Sequence, residues 1–239
     1  MARFGTAYGL GVGPGDPELL TLKALRLLRA APVVAYPALA GGGESFARGI
    51  VAEWLDPAAK TELRIDVPME TARFPAQAVY DRAAAEIGAH LEAGQDVAIL
   101  CQGDPFFYGS FMYLFARLAE RFAVEVVPGV SSLTACAAAC RAPLAARDDV
   151  LAVVPGPLPE AELARRLDGC DAAAIIKLGR HFAKVRGVLD RMGLVGRARY
   201  VERATLGNER VLPLAEVAPD TAAPYFAMIL VHKAGLAWR

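Results

Sequence analysis

Short apolar blocks alternate along this chain with longer stretches whose apolar positions recur every three or four residues, the spacing of one helix face. Residues 8–12 form the first block. The stretch 17–30 follows, with Leu19, Leu20, Ala24, Leu27 and Leu28 on one predicted helix face, and Pro32 ends it. Residues 33–36 predict a second strand closed by Pro37. The glycines at 41–43 predict a flexible loop ahead of a helix near 45–54. A strand at 62–67, a helix at 74–93 closed by Gly94, a strand at 96–101, a helix at 105–121 and a strand at 124–127 complete the first half. Strands that alternate with helices imply an α/β fold with a largely parallel sheet.

The second half changes character. Residues 132–140 predict a helix of small residues. Blocks at 149–154, 172–178, 199–203 and 226–232 predict strands, with helices between them at 160–167 and 181–192. This density of strands implies a second, mixed α/β domain. The expected division is 1–128 and 129–239, with the boundary near Pro128 to Ser131.

Composition narrows the function. The 239 residues are 55% hydrophobic, enough for a sizeable core in one large domain or two small ones. Lys+Arg and Asp+Glu balance at 26 each, so no basic footprint points to nucleic acid, and recognition of an acidic ligand must rest on local groups. The basic residues are mostly arginine, whose planar fork suits carboxylates. Cys101, Cys136, Cys140 and Cys170 lack Cys-x-x-Cys spacing and the histidines are scattered, so no metal site is expected. Buried, reduced thiols of a cytoplasmic protein fit this usage better. Glycines and Asp16 interrupt the N-terminal segment where a signal peptide has its apolar core. No apolar run nears the ~18 residues of a membrane span.

Three loops share one design. Gly15-Asp16-Pro17 recurs as Gly103-Asp104-Pro105, each after a predicted strand and ahead of a predicted helix. Asp caps helices and Pro fits their first turn, so capping alone accounts for either triplet. The third loop, Val127-Pro128-Gly129-Val130-Ser131-Ser132, also joins strand to helix, with Ser131 or Ser132 as a candidate N-cap. Ligands of open α/β sheets sit at such strand ends. The dinucleotide fingerprint is absent, because Asp16 stands where its third glycine belongs. An acidic residue at such a loop is ill suited to phosphate and better suited to an ammonium or sulfonium group.

The motifs GVGPGDPELLTLKA, QGDPFFYGSFMY, VVPGVSS and YVERATLGNERV occur in the order seen in tetrapyrrole methylases, the class III S-adenosylmethionine-dependent methyltransferases. The chain resembles that family over nearly its whole length. The resemblance implies two α/β domains with a cofactor cleft between them and a homodimer. It implies S-adenosyl-L-methionine as methyl donor, with Pro14, Gln102, Gly103, Asp104, Phe107, Ser131, Ser132, Leu178, Ala204 and Thr205 at the cofactor. Gln102 stands where many relatives carry glycine, and Leu178 where they often carry methionine. Domain 1–128 would be the substrate side, with Gly15 and Asp16 at the floor where a tetrapyrrole lies.

The implied chemistry is direct methyl transfer to a tetrapyrrole carbon. The motif wording favours C-20 of precorrin-2, with cobalt-precorrin-2 or uroporphyrinogen III as alternatives. Positioning the reacting atoms roughly 3–3.5 Å apart supplies much of such a rate without a nucleophilic side chain. Candidates for moving a proton are Asp16, Tyr36, Tyr108 and Glu202. Their plainer readings are a cap, a strand-end aromatic, a helix-packing ring and a salt-bridge partner. Arg48, Lys177, Arg180 and Arg203 are candidate partners for substrate carboxylates. His181 is a candidate helix cap, whereas His90 and His232 read as structural. Diphthamide-type methylation of a protein, or a non-enzymatic protein that keeps the cleft, are the readings from other classes.

Overall fold

The computed structural model describes residues 3–68 and 77–235. The chain divides into two compact units, Met1–Ser131 and Ser132–Arg239. The division falls after Ser131, and the Gly129 backbone packs against Gly11 and Gly103 of the first unit.

The first unit holds β1 (Thr6–Gly11), α1 (Leu22–Ala30), β2 (Val33–Leu39), α2 (Phe46–Ile50), β3 (Thr61–Val67), α3 (Gln77–Glu92), β4 (Val97–Cys101), α4 (Phe111–Leu118) and β5 (Ala123–Val127). The strands form one parallel sheet in the order β3-β2-β4-β1-β5. Side-chain alternation sends Val97, Ile99 and Cys101 to one face, under α3 and α4, and Ala98 and Leu100 to the other, under α1 and α2. Apolar residues on both faces explain why the central strands read as continuous apolar runs.

Several elements are shorter or longer than their patterns suggest. The expected helix 17–30 is two pieces. Asp16 caps a 3₁₀ turn, Pro17–Leu19, and Leu20 and Thr21 are then extended. Thr21 Oγ1 accepts the Ala24 N–H at 3.2 Å and starts α1 anew. The expected helix 105–121 begins only at Phe111, because Tyr108 takes φ 57° and breaks the helical path. The stretch 45–54 is α2 followed by a 3₁₀ turn, Ala52–Trp54. Strand β2 runs through Pro37 to Leu39. Its pairing with β4 stops at Ala35, so the missing proline N–H interrupts no bond on that side. Residues 74–76 of the expected helix 74–93 lie outside the described residues.

The second unit holds α5 (Ser132–Ala139), β6 (Leu151–Pro155), α6 (Glu160–Asp168), β7 (Ala172–Ile176), α7 (Phe182–Arg191), β8 (Ala198–Glu202), β9 (Arg210–Pro213) and β10 (Ala227–His232). The sheet order is β6-β7-β10-β8-β9, with β6 and β7 parallel and the other pairs antiparallel. Strands β7 and β8 both oppose β10, so their C-terminal ends share one sheet edge. Helices α6 and α7 cover one face around Tyr200, Phe182 and Ile229, and α5 covers the other around Met228 and Leu230. Strand β9 was not legible in the sequence. It is short, sits at the edge and ends at Pro213.

Gly9 fixes how closely α4 approaches the first sheet. A Cβ at this position would overlap the ring of Phe111, which is fully buried. We expect Gly9→Ala to lower stability by about 1–3 kcal/mol through overpacking. The change Phe111→Leu should cost less in the Gly9→Ala background than alone. Urea unfolding of the four proteins of this cycle checks it, and strictly additive losses would contradict the contact.

Candidate functional site

All strands of the first sheet are parallel, so their C-terminal ends lie at one edge. Strands β4, β1 and β5 are neighbours, and the segments 102–110, 12–21 and 128–131 therefore leave the sheet side by side. Gly13 (φ 82°) and Gly103 (φ 67°) exchange two backbone hydrogen bonds, with Gly103 N–H donating to Gly13 O at 2.8 Å and the reverse bond at 3.3 Å. Both conformations favour glycine. The third loop closes still further. A Cβ at Gly129 would overlap the carbonyl oxygen of Gly103 and lie 2.7 Å from Gly11 Cα. Backbone atoms cannot swing aside, so the packing requires the absence of that side chain.

Asp104 locks the arrangement. Its Oδ1 accepts the Phe106 N–H at 2.9 Å, and its Oδ2 accepts the Gly129 N–H at 3.0 Å. The carboxylate thus bridges the second and third loops. Asp16 repeats half of this design, with Oδ1 accepting the Glu18 N–H at 2.8 Å. The echoed Gly-Asp-Pro triplets therefore make the same turn, each onto the amide two residues on. Neither opens an α-helix directly.

The remaining expected residues fall as follows. Pro14 and Gly15 are buried within the first loop, and Gln102 is half-buried. Phe107 is exposed, edge-on to the exposed ring of Tyr108 at 5.1 Å. Ser131 is half-buried, and Ser132 is the exposed first residue of α5. The Leu178 side chain is enclosed in the second unit's core. Ala204 is buried just past β8. Thr205 takes φ 70°, unusual for a β-branched residue, with its N–H donating to Glu209 Oε2 at 2.7 Å. His181 starts α7 without a side-chain capping bond, so that expectation is corrected. His90 Nδ1 pairs with Gln95 Oε1 at 2.7 Å, and His232 Nε2 with Asp149 Oδ2 at 3.1 Å.

Three candidates turn out to be committed to structural pairs. Arg48 forks onto Glu62 at 2.9 and 3.0 Å. This bond holds the Glu62 carboxyl below its ordinary range. Tyr36 is raised by burial and by hydrogen bonding to Glu62, which keeps its hydroxyl protonated. Glu202 is 4% exposed, with Oε1 accepting the Tyr200 hydroxyl at 2.7 Å. Its Oε2 lies 3.4 Å from both Arg203 Nη1 and Arg210 Nη1. Thiol nucleophiles are disfavoured, since burial pushes Cys136 up to about 12 and Cys140 up to about 11. Among the described residues no group of three His, Cys, Asp or Glu is arranged to hold a metal, and no helix is long and apolar enough to cross a membrane. Sequence reasoning missed Gly13, Gly129, Tyr200 and Arg210. The glycines stood within the quoted motifs, but their mutual contact has no local signal.

The two sheets with their helices match solved structures over 96% of the chain. Residues 6–218 match the Tetrapyrrole (Corrin/Porphyrin) Methylases, and the chain belongs to this family. It is 45% identical over 235 residues to a Sinorhizobium precorrin-2 C(20)-methyltransferase, covering 95% of each chain. It is 46% identical over 238 residues, 97% of its length, to the cobalamin biosynthesis protein CobIJ of Mycobacterium tuberculosis, and spans 46% of that longer protein. A uroporphyrin-III C-methyl transferase from Thermus thermophilus, solved in complex with S-adenyl homocysteine, superposes with a TM-score of 0.70 at 30% identity, covering 96% of this chain and 99% of that one.

The Asp104 bridge is directly testable. Asp104→Asn keeps an oxygen for the Phe106 N–H but turns an amide donor toward the Gly129 N–H. Leaving that donor unsatisfied should cost about 1–3 kcal/mol in urea unfolding. Unchanged stability would return Asp104 to a simple turn cap, for which Asn is equally competent.

Proposed function

We propose that the chain transfers a methyl group from S-adenosyl-L-methionine to C-20 of precorrin-2, giving precorrin-3A and S-adenosylhomocysteine. The observation that carries this reading is the 45% identity to a precorrin-2 C(20)-methyltransferase over 95% of both chains. The fit to a methyl donor is chemical. Gly103 faces open space, with nothing within 4 Å of where a Cβ would sit. Beside it stand the Asp104 carboxylate, whose charge suits a cation, and the exposed Phe107 ring, which suits an aromatic base. S-adenosylmethionine supplies an electrophilic methyl on a sulfonium.

The chain's own part is positioning. Pro14, Gln102, Gly103, Asp104, Phe107 and Ser131 are the proposed cofactor residues of the first unit. Ser132, Leu178, Ala204 and Thr205 of the second unit are carried in the same proposal. The rigid loop edge holds the donor in one orientation. Gly15 and Asp16 are the proposed substrate floor. As the new carbon–carbon bond forms and the carbon–sulfur bond breaks, no side chain need become covalently attached. Asp16 and Tyr108 are carried in this proposal as proton-transfer candidates; Tyr36 and Glu202 are engaged by Glu62 and by Tyr200. A cytoplasmic homodimer completes the reading.

The test is incubation with isotopically methyl-labelled S-adenosylmethionine and, separately, precorrin-2, cobalt-precorrin-2 and uroporphyrinogen III, read by mass spectrometry. One labelled methyl on precorrin-2 is expected. Label on uroporphyrinogen III alone, or on none of the three, would contradict the reading.

A further inference from the structure

Two arginine–carboxylate contacts, that of Glu62 and that of Glu202, differ in kind. Arg48 and Glu62 form a closed one-to-one pair, with two guanidinium nitrogens engaged at 2.9 and 3.0 Å. Glu202 instead faces two arginines, so the group carries one positive charge in excess. The shared Oε2 stands 3.4 Å from each Nη1, longer than a close charge-assisted bond, and neither arginine makes a fork with it. Each guanidinium has five donors, so both keep N–H groups beyond this contact. The carboxylate is buried at 5% side-chain exposure, while the Arg203 and Arg210 side chains are 35% and 58% exposed. Tyr200, enclosed in the core against Phe182, fixes the other carboxylate oxygen. Arg203 takes φ 51° and its N–H donates to Phe226 O at 2.7 Å, which pins the backbone at the end of β8.

We propose that Glu202 is a positioning residue, and that the Arg203 and Arg210 guanidiniums it holds at the end of β8 form a receptor for a ligand carboxylate. This deepens the methyltransferase reading and rests on it. A carboxylate completing the cluster would bring its charge to neutrality. The buried Glu202 orients the two cations in advance, so the ligand does not bear the cost of ordering two long side chains. Both substrates of the proposed reaction bear aliphatic carboxylates, the macrocycle on its ring substituents and the methyl donor on its amino-acid end.

Calorimetry with two probes separates these sources: uroporphyrin III, a carboxylated macrocycle, and S-adenosylhomocysteine. The variants are Glu202→Gln, Arg203→Ala and Arg210→Ala, each checked by thermal melting. Weakening of about tenfold or more for uroporphyrin III, with S-adenosylhomocysteine within about twofold, supports the receptor and assigns the carboxylate to the macrocycle. The opposite split supports it and assigns the carboxylate to the methyl donor. The affected affinity should also lose part of its salt dependence, which a purely structural role would leave unchanged. If Glu202→Gln does not fold, the two arginine variants carry the test. Both probes within about twofold of wild type in folded Arg203→Ala and Arg210→Ala would overturn the inference. Wild-type protein that binds neither probe would instead overturn the methyltransferase reading.

Discussion

The backbone of Gly129 lies where no side chain fits, against the Gly103 carbonyl and the Gly11 Cα. That contact decides what the C-terminal edge of the first sheet can be. Parallel strands β4, β1 and β5 bring three loops to one edge, but adjacency alone leaves them as separate connections. The Gly13–Gly103 hydrogen bonds and the close approach of Gly129 convert them into one body. Asp104 then satisfies the Gly129 N–H that this packing turns toward it. A donor and a carboxylate that would otherwise compete for water are matched, and Gly103 is left with open space on its outer side.

The second unit reaches a related end by another route. Its sheet is mixed, yet β7 and β8 both run against β10, so their C-terminal ends share an edge. Residues with left-handed backbone gather there: Lys177 at 56°, Arg203 at 51° and Thr205 at 70°. Such conformations persist only where surrounding structure holds them. The Arg203–Phe226 and Thr205–Glu209 bonds do so at two of the three. The buried Glu202 stands immediately before this turn, with its Oε2 3.4 Å from an Nη1 of each of two arginines.

The sequence made the architecture legible because alternation and helical spacing are local. Ala98 and Leu100 face one layer and Val97 and Ile99 the other, as a strand's period of two requires. Element ends were less legible, since competing local chemistry decides them. Thr21 restarts a helix whose apolar spacing runs on through Leu19 and Leu20, and Tyr108 delays one for which Pro105 suits the first turn. The repeated Gly-Asp-Pro triplet revealed two like turns, but not that Asp104 also reaches Gly129, 25 residues on. Nor did it reveal that Arg48 is already engaged by Glu62. Such pairings depend on which strands become neighbours, and nothing in either residue's surroundings announces its partner.

If the three loops form one body with the sheet, their amides must share the sheet's protection. Native-state hydrogen exchange read at Gly13, Gly103 and Gly129 measures this most directly. The Gly103 and Gly129 amides, donors to Gly13 O and Asp104 Oδ2, are expected to exchange only with global unfolding, at the same free energy as the core amides of β1 and β4. Exchange of these amides through local opening, several kcal/mol below global unfolding on the usual scale of loop fluctuations, would contradict it.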